Sequence, residues 1–219
     1  MELSKRLLTA ANMVEANAKV IDVASDHGLL GLWLLKQQRI NKLLLTDINP
    51  KALENAKNNA LKLNLKPDFL VTDGLNNIKL NDYNTIIISG LGAKTIINIL
   101  ESKIIDANYI IILVPHTNPE LIRKYMVNRG FKILDEKMIH EKGHYYFVSK
   151  YQLNPAKYNK LEIYFSPFYQ SFDQKLYIKY LKAELTKTNQ LFKQIPFKYL
   201  NKKIKYFLKQ RLIKRMLFK

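Results

Sequence analysis

Cysteine is absent from this 219-residue chain, which excludes disulfides and thiolate-held metal sites and suits a reducing compartment. No metal site is expected. No run of about 18 apolar residues occurs, so no membrane-spanning helix is expected. The opening residues, MELSKRLLTAANMV, lack an apolar signal core and read as an amphipathic helix, not a targeting segment. A cytoplasmic protein without membrane attachment is the resulting expectation. Glycine is scarce, with 7 residues, and acidic residues nearly vanish after Tyr151, where only Glu162, Asp173 and Glu184 remain.

What is present is basic and apolar. The formal charge is +18 and hydrophobic residues make up 47%. Residues 1–150 hold 20 Lys+Arg against 15 Asp+Glu, whereas residues 151–219 hold 16 against 3. The excess of Lys (30) over Arg (6) fits an AT-rich genome, but such a bias does not explain why the acids disappear from one segment. A polyanionic partner lying against the last third does.

Apolar periodicity lays out the chain. Leu3, Leu7, Leu8, Ala11 and Val14 recur at helical spacing. Buried parallel strands are predicted at about 19–24, 42–47, Asp68–Val71, Tyr83–Ser89 and Tyr109–Val114, with helices at about 28–38, 50–63 and 93–102. Asn118-Pro119 reads as an N-cap with proline at the first helical position, opening a helix that closes near Gly130. Five βα units then give way to Phe131–His140 and Tyr145–Tyr151, joined by a hairpin-like turn at 141–144 that implies an antiparallel edge. Residues 152–170 read as a connector. Leu181, Leu185, Thr188, Phe192 and Ile195 start a helical stripe, Pro196 breaks it, and Phe197, Leu200, Ile204, Phe207 and Leu208 begin a second one towards Met216. The expected organisation is an α/β doubly wound, Rossmann-like domain over 1–152 and a basic, coiled-coil-like α-helical hairpin over 153–219.

The informative stretch is VIDVASDHGLLG at 20–31 read with LLLTDINP at 43–50. A strand, a small-residue turn, a helix and an acid ending the next strand make a nucleotide half-site. Backbone amides of Ala24, Ser25, Asp26, His27 and Gly28 are placed to hold an anionic group. Asp47 suits a ribose, since one carboxylate accepts from two adjacent hydroxyls, and Ile48 and Asn49 follow it. Asp73, with Gly74, is placed to accept from an adenine amine, and Ser89, Gly90 and Leu91 form the mouth beyond the fourth strand. Asp22, inside the first strand, either orients the turn or touches a ligand.

SDHG followed by LL, then TDIN, DGL at 73–75 and ISGLGAKTI at 88–96 closely resemble the bacterial tRNA adenine-22 N1-methyltransferases, the TrmK family of class I methyltransferases. That family shows D-x-G-S-D-H-A, D-x-N, G-D-G-L, A-G-M-G-G and Q-P-N elements. Here Ala24 replaces a glycine, Gly31 stands where proline is usual, Leu91 and Ala93 sit in the glycine loop, and VPHTN replaces Q-P-N. The resemblance covers residues 1–150 and extends to the helical C-terminal domain.

It implies S-adenosylmethionine as cofactor and methyl transfer to N1 of adenine 22 in tRNA. Asp26 is the candidate carboxylate beside the cationic product, and His27 the candidate for positioning cofactor or base. Lys202, Lys203, Lys205, Lys209, Arg211, Lys214 and Arg215 are dense enough to follow an RNA backbone. Two other readings stay open: a non-catalytic RNA-binding protein on the same scaffold, and a small-molecule methyltransferase. Oligomeric state is also open, a monomer included.

Overall fold

A computed structural model describes residues 1–218. Helix α1 (Lys5–Met13) precedes a seven-stranded sheet of β1 (Ala18–Val23), β2 (Ile40–Asp47), β3 (Asp68–Val71), β4 (Thr85–Ser89), β5 (Ile110–Val114), β6 (Phe131–Glu141) and β7 (His144–Leu153). The strand order is β3-β2-β1-β4-β5-β7-β6, parallel through β5, with β7 antiparallel to both β5 and β6. This is the doubly wound sheet with a terminal antiparallel hairpin that the sequence pattern predicts. Val20, Ile21, Ile86, Ile87, Ile111 and Ile112 are fully buried, as strands covered on both faces require.

The chain leaves β1 for β2 and β3 on one side, then returns to β4 on the other. That reversal opens a crevice at the carboxyl ends of β1 and β4, where doubly wound sheets bind ligands. Helices α2 (Leu29–Lys36), α3 (Pro50–Lys62), α4 (Ala93–Glu101) and α5 (Pro119–Asn128) follow β1, β2, β4 and β5.

β3 departs from the five βα units expected. Residues 72–84 cross back with only a 3-10 turn at Leu80–Asp82. This segment is rich in turn formers, with Gly74 and Asn77 both at positive φ, and it buries Leu75 and Ile78 without a helical face. Two further details differ. The hairpin turn is tighter than expected, with Lys142 and Gly143 alone at its tip and both at positive φ, which matches the right-handed strand twist. Asn118 precedes α5 in a left-handed conformation and makes no side-chain cap.

The chain divides into compact units at 167/168. The connector is partly ordered: Asn159 and Glu162 form a capping box that starts α6 (Lys160–Phe165). Buried Arg123 donates from Nη1 to the carbonyls of Ile163 (2.9 Å) and Tyr164 (3.2 Å), tying α6 to α5.

The second unit contains α7 (Gln174–Gln194), capped by Asp173, and α8 (Leu200–Leu217). Lys209 Nζ pairs with Glu184 Oε2 at 2.8 Å, and the rings of Phe207 and Phe192 lie 6.5 Å apart. Later residues of α8 thus meet earlier residues of α7, the antiparallel hairpin expected. The predicted apolar seam is only partly closed, because Phe197, Leu200, Ile204, Phe207 and Leu208 are exposed while Ile213 and Met216 are buried. At about 100° per residue, these two sets occupy opposite faces of α8, so the helix exchanges its apolar face midway. Among the described residues, no helix is long and apolar enough to cross a membrane.

Candidate active site

A cavity of about 680 Å³ opens at the β1/β4 crevice, within the range of about 300–1,000 Å³ typical of small-molecule and cofactor sites. Its walls come from the turns after β1, β2, β3 and β4, with α1 and α4 adding side chains. The structure brings Ala24, Ser25, Asp26, His27 and Gly28 together with Asp47 and Ile48, then Asp73 and Gly74, then Ser89, Gly90 and Leu91. Asn49 is the exception. It does not line the cavity, and its side chain accepts from the Lys51 amide at 3.0 Å to cap α3. A residue one position before a helix satisfies the nearest free amide before it reaches a distant ligand.

The β1–α2 turn is left-handed at Ala24, His27 and Gly28, with φ of 56°, 74° and 62°. At Gly28 a Cβ would lie 2.9 Å from Leu45 Cδ1, so both space and conformation demand glycine. Ala24 adopts the left-handed region despite its Cβ, a cost on the order of 1–2 kcal/mol. The Ser25 amide donates to the Thr46 carbonyl and the Gly28 amide to the Ser25 carbonyl, at 2.9 and 3.1 Å. The Asp26 and His27 amides have no partner among the described residues. They are the free donors of the turn.

Asp22 acts from behind this turn. Its buried Oδ2 accepts from the Gly31 amide at 3.1 Å. Burial pushes its carboxyl up to about 6, with Ser25 and the Gly31 amide partly offsetting that rise. The carboxylate thus orients the turn, and Asp22 also lines the cavity. Gly31 makes this bond where a proline, lacking N–H, could not.

Asp47 ends β2 and is 9% exposed. Its Oδ1 accepts from the Asn49 amide at 2.8 Å, which leaves Oδ2 for a ligand. Beside it Ile48 is 65% exposed at the cavity wall, an apolar surface suited to the face of a base. Asp73 is exposed at the mouth, and Gly74, at φ 60°, lies against Ile99 of α4. His27 Nε2 stands 3.6 Å from Asp26 Oδ2, with both side chains more than half exposed at the rim. Among the described residues, no group of three His, Cys, Asp or Glu side chains could hold a metal ion.

Sequence reasoning missed several walls. Thr95, Asn98 and Ser102 line the cavity from α4 and its C-terminal cap, and their spacing of three and four residues was a readable signal. Arg6 of α1 also lines it, a placement that depends on packing against the β6–β7 hairpin. His116, which carries little signal in sequence, follows β5 and reaches the same cavity. Six of the seven predicted RNA-binding cations of α8 fall into two groups. At about 100° per residue, Lys202, Lys205 and Lys209 share one face, and Arg211, Lys214 and Arg215 the opposite one. Lys203 Nζ sits 3.8 Å over the Phe197 ring, and Lys209 is held by Glu184.

Residues 3–148 match the family model described as a methyltransferase domain. The chain belongs to the TrmK family of class I methyltransferases. It is 26% identical over 205 residues, 89% of this chain and 86% of the relative, to the tRNA (adenine(22)-N(1))-methyltransferase of Bacillus subtilis. The M. capricolum TrmK structure, in complex with S-adenosylhomocysteine, superposes with a TM-score of 0.87 at 25% identity, covering 99% of this chain and 98% of that one. A Streptococcus agalactiae protein of the NADB-Rossmann superfamily gives 0.89 at 26% identity, covering 99% and 98%. The TrmK cavity of this chain fits a nucleoside with a charged amino-acid tail. It offers a free carboxylate oxygen at Asp47, an apolar plate at Ile48 and open amides at Asp26 and His27.

Proposed function

We propose that this protein transfers a methyl group from S-adenosylmethionine to N1 of adenine 22 in tRNA. The observation that carries this reading is one cavity lined by the acidic ends of consecutive strands in a TrmK-family chain. When bound, S-adenosylmethionine supplies a sulfonium-activated methyl group. Asp47 Oδ2 takes the ribose hydroxyls, Asp73 the adenine amine, and the amides of Asp26 and His27 the carboxylate of the amino-acid tail. Ser89, Gly90 and Leu91 border the reactive end.

Adenine N1 carries an in-plane lone pair and needs no deprotonation before attack. Alignment therefore dominates the rate, and well-oriented reactions gain about 7–11 kcal/mol from it. The product base is cationic. The Asp26 carboxylate at the rim stabilises the charge that develops, and His27 beside it positions the base or cofactor. The cations of α8, in a helical domain following residue 152, bind the tRNA backbone, and a target base within folded RNA is extruded to reach the cavity. This reading places the protein in the cytoplasm with its tRNA substrate.

The test is methylation of tRNA by the purified protein with labelled S-adenosylmethionine, followed by mapping of modified nucleotides. Label at N1 of adenine 22, lost when that adenine is replaced by guanine, is expected. Label confined to other positions, or none, refutes the reading.

A further inference from the structure

The strand order divides the cavity into two ends. The nucleoside positions Asp73 and Asp47 follow β3 and β2, whereas His116 follows β5, three strands from β2. At about 4.8 Å per strand, that is about 14 Å along the carboxyl edge. The β5 end holds three aromatic and cationic groups that the cofactor assignment leaves unused.

β5 pairs with β7 so that Leu113 faces Ser149, and the same register carried three residues further sets His116 opposite Tyr146. Their rings meet edge to face, 5.7 Å apart at 84°. The Arg6 guanidinium lies over the Tyr146 ring at 5.3 Å. Arg6 is braced from behind: its Nη1 donates to Glu141 Oε2 at 3.1 Å, and Glu141 Oε1 accepts from the Lys5 amide at 2.6 Å. Its Nε is buried, whereas Nη2 takes no part in the Glu141 pair, and Arg6 lines the cavity. The guanidinium is thus held on two sides and keeps Nη2 as an unused donor. Tyr146 is buried and His116 is exposed, so the tyrosine is the shared support and the histidine the accessible surface.

We propose that Arg6 and His116, held side by side on Tyr146, form an RNA-nucleotide subsite at the β5 end of the cavity, Arg6 binding a phosphate and His116 the face of the target base. This rests on the tRNA-methyltransferase reading above. Guanidinium is suited to the phosphate, because its planar donors match oxyanion geometry. Partial desolvation against Tyr146, then Arg6 and His144, lower the pKa of His116, which favours a neutral ring beside a base that becomes cationic. Tyr146 is a positioning residue for both.

The experiment compares wild type with Arg6→Met, Arg6→Lys, His116→Ala, Tyr146→Leu and Tyr146→Phe, measuring cofactor affinity by calorimetry and tRNA binding and methylation across salt. Arg6→Met is expected to raise KM for tRNA about tenfold and to reduce the slope of log K against log salt by about one. Arg6→Lys should restore the slope without the full affinity. His116→Ala and Tyr146→Leu should raise KM for tRNA, and Tyr146→Phe, which keeps the ring, should behave as wild type. Cofactor affinity should stay within twofold throughout. A loss of cofactor affinity in Arg6→Met overturns the subsite by assigning Arg6 to the cofactor. Unchanged tRNA binding in Arg6→Met and His116→Ala, with an active wild type, overturns the subsite alone. A wild type that methylates no tRNA removes the underlying reading and the subsite with it.

Discussion

The Gly31 amide and the Asp22 carboxylate are joined by a 3.1 Å hydrogen bond that ties the first turn of α2 to the last residues of β1. The bond clamps the cofactor turn from inside, leaving its outer amides free. It also keeps a carboxyl group in the core, with its pKa pushed up to about 6 by burial.

That burial sets a pH dependence. The folded protein holds the Asp22 proton more tightly than the unfolded chain, whose aspartate titrates near ~4. The resulting penalty is fully present above about pH 6 and fades as pH falls towards about 4. Asp22→Asn, which can still accept from Gly31, should therefore gain stability relative to wild type as pH rises across that window, on the order of 3 kcal/mol. Denaturant titrations at pH 4 and pH 7 measure it, and a pH-independent difference between the two proteins contradicts the assignment.

Asp47→Ala removes the one free carboxylate oxygen of the β2 end and releases the Asn49 amide. S-adenosylmethionine binding should weaken at least tenfold, read by calorimetry. Unchanged affinity would refute the ribose role.

Asp26→Asn keeps size and backbone amide but deletes the charge at the rim. Turnover should fall more than cofactor or tRNA binding does, because the charge it answers develops during transfer. Equal losses in kcat and cofactor affinity would make Asp26 a cofactor ligand only.

Arg123 and Glu136 are both fully buried and paired at 3.1 Å, with Ser149 donating to the same carboxylate. Glu136→Ala leaves the guanidinium uncompensated and should cost about 3–5 kcal/mol. Replacing both residues with apolar ones of similar size should recover most of that. Chemical denaturation of the single and double variants decides it.

The two cationic faces of α8 point apart, so a single RNA backbone bound there would lie along only one of them. Neutralising Lys202 with Lys205, or Lys214 with Arg215, should have unequal effects. One pair should lower the salt slope by about two and the other leave it near wild type. Equal effects would mean that RNA wraps the helix.

Much of the cofactor end was legible in the chain. Short apolar runs alternating with helical patterns fit parallel strands of a sheet covered on both faces, and acids that end successive strands of such a sheet fall on one edge by topology alone. That placed Asp47, Asp73 and the Ala24–Gly28 turn at one cavity. Asn49 caps α3 with its side chain and lies off the cavity wall; a helix cap and a ligand contact look alike in sequence. The general pattern of five βα units does not hold after β3, where turn formers leave only a 3-10 turn at Leu80–Asp82.

Periodicity and strand-end chemistry are local properties, so the linear order of residues already contained the sheet, its open edge and the acids along it. Arg6, Tyr146 and Glu141 meet across about 140 residues of chain, and no local pattern encodes that meeting. Packing of α1 on the β6–β7 hairpin brings them together. The facing of α8 was also settled in three dimensions, because its apolar residues switch sides midway and only packing shows which set is buried.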